Sequence, residues 1–253
     1  MTPRIGVIAG TGMESLPNHI KFDKLLDLRS DTPWGSVPVR TIDVNESIIF
    51  LIDRHHNNTT GNRTPPHMIN HRANVYAMHS MNVDVIVSVN SVGTMSADFP
   101  PGSVGVVEDV LDLFSPPITF FDKNAVHTDR TLLFSSIYRE RLLNSDIANL
   151  SIKKGIVSAQ SSGPQFETPA EINALMTMGA HVVGMTLGPE SRLVSEKGTP
   201  HLAICCASNW AAGQDPSDSR AMIDHQHVES QADSSIPVVA RSIMALVEFM
   251  KSK

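Results

Sequence analysis

Five short apolar runs in this chain all stop at small, polar or charged residues. Arg4 to Ala9 (RIGVIA) stops at Gly10-Thr11-Gly12, and Ser47 to Ile52 (SIIFLI) stops at Asp53-Arg54-His55-His56. Asp84 to Val89 (DVIVSV) stops at Asn90-Ser91-Val92-Gly93-Thr94. His181 to Met185 stops at Thr186-Leu187-Gly188-Pro189-Glu190, and Leu202 to Ala207 (LAICCA) at Ser208-Asn209-Trp210. A continuous apolar run of this length reads as a strand buried on both faces, as in a parallel sheet covered by helices. Ligand groups in such a sheet gather beyond the strand ends. The repeated polar endings therefore predict one open site at the strand mouths.

Further strands are expected at Val37 to Ile42, Val104 to Val110 and Lys154 to Ala159. Helical spacing is read at His67 to Met81, with Ile69, Ala73, Tyr76-Ala77 and Ser80 on one side. Other helices are expected at Leu132 to Asn144, Ala170 to Met178, and Ser191 to Lys197 before Gly198. A C-terminal helix over Pro237 to Lys251 would face Val238-Val239, Ile243 and Leu246-Val247 to the core. The segment between the last strand and Gln231 reads as polar and partly loop. No repeat or linker divides the 253 residues, so the expectation is one α/β domain over 1–253 with a parallel or mixed sheet.

The formal net charge of −6 gives no bulk attraction to nucleic acid or an anionic membrane, though a local cationic site remains open. The two cysteines, Cys205 and Cys206, are adjacent in an apolar run and read as core thiols in a reducing compartment. No signal peptide and no bilayer-length apolar stretch is seen, so the expected location is the cytoplasm.

Four stretches carry candidate chemistry. Gly10-Thr11-Gly12 lets backbone N–H groups approach an oxyanion, with a hydroxyl from Thr11, and fits a plain tight turn equally well. Ser15 stands where a dinucleotide fingerprint would have its third glycine, and no P-loop lysine follows. Arg54 offers a fork of donors suited to phosphate, and His55 stands beside it. The amides after Asp84 to Val89 and the Ser91 hydroxyl could form a second wall. In the stretch Gly155 to Glu171, Thr168-Pro169-Ala170-Glu171 reads as a helix start. Phe166 and Glu167, just before it, could stack on a flat ring and accept from its N–H groups, or be a tucked-in Phe and a solvated acid. Phe114 to His127, rich in Pro and Phe, is too long to stand idle and suits a surface that covers a neighbour.

Read together, Gly10-Thr11-Gly12, Arg54-His55, Pro65-Pro66-His67-Met68-Ile69-Asn70-His71-Arg72-Ala73-Asn74, Asn90-Ser91-Val92-Gly93, Gly163 to Thr168, Gly184-Met185-Thr186 and Pro189-Glu190 form an ordered series. That series resembles the trimeric purine nucleoside phosphorylase and methylthioadenosine phosphorylase family over almost the whole chain. Ser208-Asn209-Trp210-Ala211-Ala212-Gly213 looks most like the bacterial branch that handles methylthioinosine. The resemblance implies a mixed, partly barrel-like sheet flanked by helices, in a homotrimer or a hexamer. It implies phosphorolysis of a purine nucleoside, with inorganic phosphate as co-substrate and no metal or organic cofactor. By family match Thr11, Arg54, His55, Ser91 and Thr186 would hold phosphate. Met185 would lie under the ribose, Phe166 against the base, Glu167 at N1–H and Asn209 at the N7/O6 edge, with Ala211 beside it. His127 would serve a neighbouring subunit's site, and His225 would stand near the ribose 5′ group. Asn209 with Glu167 points to 6-oxopurines, since adenine-cleaving members carry aspartate at the former place. The competing readings are a methylthioadenosine phosphorylase and a non-catalytic nucleoside binder. The chain departs from the family pattern at His56, Asn62, Ile118 and Leu187-Gly188.

Overall fold

The computed structural model describes residues 2–56, 63–145 and 152–252, with backbone alone at 225–227 and 229. The apolar runs form β1 (Arg4–Ala9), β4 (Ser47–Asp53), β5 (Val85–Thr94) and β9 (His201–Trp210). They are parallel neighbours: β1 lies between β4 and β5, and β5 also pairs with β9. Two antiparallel strands, β2 (Lys24–Thr32) and β3 (Gly35–Val44), extend the sheet beyond β4. On the other side β6 (Val104–Leu111), β7 (Lys153–Gln160) and the short β8 (Val182–Gly184) complete the order β2-β3-β4-β1-β5-β8-β7-β6-β9. Because β9 also pairs with β5, the last five strands close into a ring. The expected mixed, partly barrel-like sheet is thus a five-stranded barrel with a four-stranded open wing.

Helices cover both faces of the central strands, which is why those strands carry no polar face. On one side, α6 (Ile236–Lys251) buries Val239, Ile243, Leu246 and Val247 against Val7, Val87 and Leu202. On the other, α1 (His71–Ser80) and α4 (Leu187–Lys197) bury Ala73, Ala77, Met78, Leu193 and Val194 against Ile8, Ile52 and Ile86. Two shorter helices, α2 (Ser136–Leu143) and α3 (Pro169–Thr177), flank the barrel, and α5 (His225–Asp233) crosses near its mouth against β9.

Several element boundaries differ from the sequence reading. β2 was not expected, because KLLDLRSDT lacks clean alternation; it is an exposed edge strand held by pairing with β3 along its length. α1 begins at His71, not His67, because the Asn70 side chain accepts from Ala73 N–H at 3.1 Å and caps the helix there. Ser80 is exposed; the buried face carries Asn74, Val75 and Met78 instead. The helix read over Leu132 to Asn144 is confined to α2, after four non-helical residues. α4 starts four residues early, at Leu187, since a proline in the first turn has no hydrogen bond to lose. Strands β5 and β9 run on through Ser91-Val92-Gly93 and Asn209-Trp210, so these residues belong to the barrel rather than to loops beyond it. Part of the polar segment before Gln231 is α5.

Candidate active site

A cavity of about 470 Å³ opens where the strand ends converge. It is lined by Gly10 and Thr11 after β1, Arg54 and His55 after β4, Ser91 on β5, Met185 and Thr186 after β8, Phe166 and Glu167 after β7, and Asn209 and Ala211 at the end of β9. Ten of the twelve sequence-predicted site residues therefore meet in one space. His127 does not: it is exposed and does not line the cavity. His225 falls within α5, and its side chain lies outside what is described. Asn62 also lies outside the described residues. A neighbouring cavity of about 380 Å³ on the sheet wing shares only Gly10 with this one and holds none of the other expected groups.

At one end Arg54 is almost fully enclosed, 1% exposed. Its Nε and Nη2 donate to the two carboxylate oxygens of Glu190 in a fork, the second bond at 2.9 Å. Nη1 donates to the Val89 carbonyl at 2.9 Å and Nη2 to the Ile8 carbonyl at 3.2 Å. Of the guanidinium's five N–H groups, one, on Nη1, is left without a bond to a described residue. Gly10 makes room for it: a Cβ there would stand 2.6 Å from Arg54 Nη1. Glu190 sits at zero exposure in the first turn of α4 and also accepts from Ser88 Oγ at 2.7 Å. Ser88 in turn accepts from His201 Nε2 at 2.9 Å, and His71 Nδ1 approaches Glu190 at 3.8 Å. Burial alone would push the Glu190 carboxyl up, but the Arg54 guanidinium, its hydrogen bonds and His71 hold it well below the usual carboxylate range. Burial brings His201 down to about 4, so its ring is neutral near pH 7.

His55 is brought down to about 4, chiefly by burial, with the Arg54 and Arg63 charges adding to the effect. Its Nδ1 bonds the Thr64 carbonyl at 2.8 Å. A carbonyl only accepts, so Nδ1 carries the proton and Nε2 holds a lone pair. Thr186, the N-cap of α4, accepts from Asn90 Nδ2 at 2.9 Å and keeps its own hydroxyl proton to donate. The Ser91 hydroxyl is buried without a partner among the described residues. A helix N-terminus and two available hydroxyls suit an anion of phosphate size.

At the other end Phe166 is 39% exposed on the cavity wall. Glu167 is half-buried, with Oε1 shielded and unbonded among the described residues. Asn209 is oriented by its neighbours: Nδ2 donates to Trp210 O at 2.8 Å and Oδ1 accepts from Ser208 Oγ at 3.0 Å. The second N–H on Nδ2 remains. Met185 packs against Gly163, where a Cβ would lie 2.6 Å from its sulfur. The Thr168–Glu171 capping box that starts α3 fixes the loop carrying Phe166 and Glu167. The ring-stacking reading of the pair is thus geometrically available. Among the described residues no group of three His, Cys, Asp or Glu side chains could hold a metal ion.

Sequence reasoning missed four members of this site. Ser88 lies inside an apolar run and His201 just before one, and Glu190 reads as the end of the polar stretch before a helix from Ser191, with no role assigned. Arg63 sits in a polar stretch. Only the folded packing shows the first three buried together and the last at the cavity wall.

The phosphorylase superfamily model matches residues 4–248, and the chain belongs to that superfamily. Among its relatives, a probable S-methyl-5'-thioinosine phosphorylase of Methanopyrus kandleri is 36% identical over 94% of this chain and 91% of its own length. A 6-oxopurine nucleoside phosphorylase of Pyrococcus furiosus is 29% identical over 97% of this chain and 92% of its own. A methylthioadenosine phosphorylase from Schistosoma mansoni, solved with adenine, superposes with a TM-score of 0.85 at 21% identity. That match covers 100% of this chain and 93% of that one, and bears on the fold alone.

Proposed function

We propose that this enzyme cleaves 6-oxopurine nucleosides with inorganic phosphate. A phosphate oxygen forms a bond to C1′ as the C1′–N9 bond breaks, giving ribose 1-phosphate and the purine, which takes up one proton. One observation carries the reading: donors for an anion and donor-acceptor groups for a flat base share one cavity. Thr11, Ser91, Thr186 and the open N–H of Arg54 hold the phosphate, beside His55. Phe166 packs on the base. The unbonded Glu167 oxygen accepts from the N1–H that a 6-oxopurine has and adenine lacks. The Asn209 N–H donates to the N7/O6 edge as negative charge grows there in the transition state, which is preorganised electrostatic stabilisation. No metal or organic cofactor is needed for this step.

Within the class, Val228 on α5 and Met185 give the cavity apolar groups that favour a 5′-methylthio substituent over a 5′-hydroxyl. The test is phosphate-dependent base release from methylthioinosine, inosine, guanosine and methylthioadenosine, assayed side by side. Release from methylthioadenosine alone would refute the 6-oxopurine assignment, and release from none would favour the nucleoside binder.

We also propose a homotrimer. Leu113, Phe114, Val126 and Leu132 are exposed along one irregular segment, Leu132 at 92%. His127 lies in that segment, away from its own chain's cavity, where it could reach a neighbour's. Sedimentation equilibrium reads the assembly directly. We assign the enzyme to the cytoplasm, where the unpaired Cys205 and Cys206 stay reduced.

A further inference from the structure

The two basic residues expected to meet the phosphate, Arg54 and His55, contribute little net charge. The Arg54 charge is cancelled by the fork to a fully buried carboxylate, and main-chain carbonyls take two more of its N–H groups. His55 is neutral near pH 7, and with its Nδ1–H on Thr64 it presents a lone pair. Hydroxyls and amides can bind a dianion, but they carry dipoles, not charge. Neutral donors make hydrogen bonds about half as strong as charge-assisted ones.

Among the described residues one other cation, Arg63, lines the cavity. The adjoining Thr64 is strapped to the end of β4 by three hydrogen bonds: its N–H to the His55 carbonyl at 2.7 Å, its carbonyl to His55 Nδ1 at 2.8 Å, and its Oγ1 to the His56 carbonyl at 2.8 Å. This strap fixes Arg63 at the wall beside Thr11 and His55. Its guanidinium is tied by Nη1 to Glu14, three residues beyond Thr11, and by Nη2 to Asp53 at 3.3 Å. Both partners are solvent-exposed, Glu14 at 52%. Exposed ion pairs are worth about 0–1 kcal/mol, so exchanging one carboxylate for a phosphate dianion costs little. Asp53 also accepts from the His55 backbone N–H at 3.0 Å, which leaves Glu14 as the exchangeable partner.

We propose that Arg63 is the principal cationic ligand of the phosphate, moving from Glu14 to the anion when it binds while Asp53 keeps hold of the arm. The proposal rests on phosphate being the anion at this end of the cavity. Arg54 then serves as a fixed wall and Arg63 as the charge.

Two variants break the same ion pair and separate a phosphate ligand from a structural tie. Arg63→Met is expected to raise both the dissociation constant for inorganic phosphate, by titration calorimetry, and the phosphate KM by about ten- to a hundredfold, with the nucleoside KM within about twofold. Arg63→Lys should recover part of that loss. Glu14→Gln, which removes the competing carboxylate, should lower the phosphate constants by about two- to fivefold. Opposite shifts support the proposal. Shifts in the same direction, or no shift in Arg63→Met, overturn it. If the wild-type protein releases no base from any nucleoside, the functional reading fails, yet phosphate titration still decides the role of Arg63. Wild-type protein that binds no phosphate overturns both.

Discussion

Glu190 shows how one residue can set a site it does not line. Its carboxylate meets Arg54 in a fork, takes the Ser88 hydroxyl and, through Ser88, fixes which nitrogen of His201 carries the proton. Removing one partner of a buried pair strands a charge, typically at a cost of about 3–5 kcal/mol. Glu190→Gln is therefore expected to lower unfolding free energy by about that much in urea titration, whereas Ser88→Ala should cost only about 1–3 kcal/mol. A Glu190→Gln protein as stable as the parent would disprove the network's role. At the proposed base end the consequence is chemical. Glu167→Gln replaces a pure acceptor with a side chain that also donates. It should cut kcat/KM for a 6-oxopurine nucleoside by about a hundredfold, with the fold unchanged by circular dichroism. Asn209→Asp should begin to cleave the 6-amino analogue; a variant with no new activity there counts against Asn209 at the N7/O6 edge. Thr11, Arg54, His55, Ser91, Thr186 and Asn209 were readable as candidates because each stands where an apolar run ends, and the base and sugar roles of Phe166, Glu167, Met185 and Asn209 came from the family resemblance. The buried partnership of Glu190, Ser88 and His201 was not legible, because nothing local distinguishes a buried polar residue from an exposed one.

Elements place these residues with little slack. The early start of α4 is an example: the sequence reading left Glu190 ahead of the helix, but a helix from Leu187 holds it in the first turn, where it meets Arg54. The strands were legible because buried runs lack polar interruptions, while β2 was missed because an edge strand is held by its ladder and not by burial. The loop between β7 and α3 carries the same logic. Gly163 has φ of +58°, a left-handed conformation that costs other residues about 1–2 kcal/mol, and Met185 Sδ occupies the space of its missing Cβ. Gly163→Ala should therefore lower stability by about 1–2 kcal/mol and displace Met185, raising the nucleoside KM several-fold while leaving the phosphate KM near its parent value. Equal changes in both KM values would show that the loop supports the whole cavity rather than its sugar and base end.

Across the whole molecule the buried histidines tie stability to pH. His55 and His201 have values near 4 in the folded chain, chiefly because burial penalises their charged forms, against 6.5 when exposed. Between those values the unfolded chain binds more protons than the folded one, so stability must fall as pH is lowered through that window. Each histidine contributes at most about 1.4 kcal/mol per pH unit. Glu190 acts in a lower range. Its folded carboxyl titrates below the ordinary value of 4.5, so its contribution is intact above that value and fades only as pH descends toward the folded one. Acid destabilisation should thus begin near pH 6.5, before carboxylates titrate, and steepen below about 4.5. Urea midpoints at pH 7.5, 6.5, 5.5 and 4.5 measure this directly. His201→Gln keeps a donor for Ser88 but removes one titrating group, so it should flatten the slope between pH 6.5 and 5 relative to the parent. A parent protein equally stable at pH 7 and 5 would mean that these rings are not held neutral, and that the anion end of the cavity carries more positive charge than its packing implies.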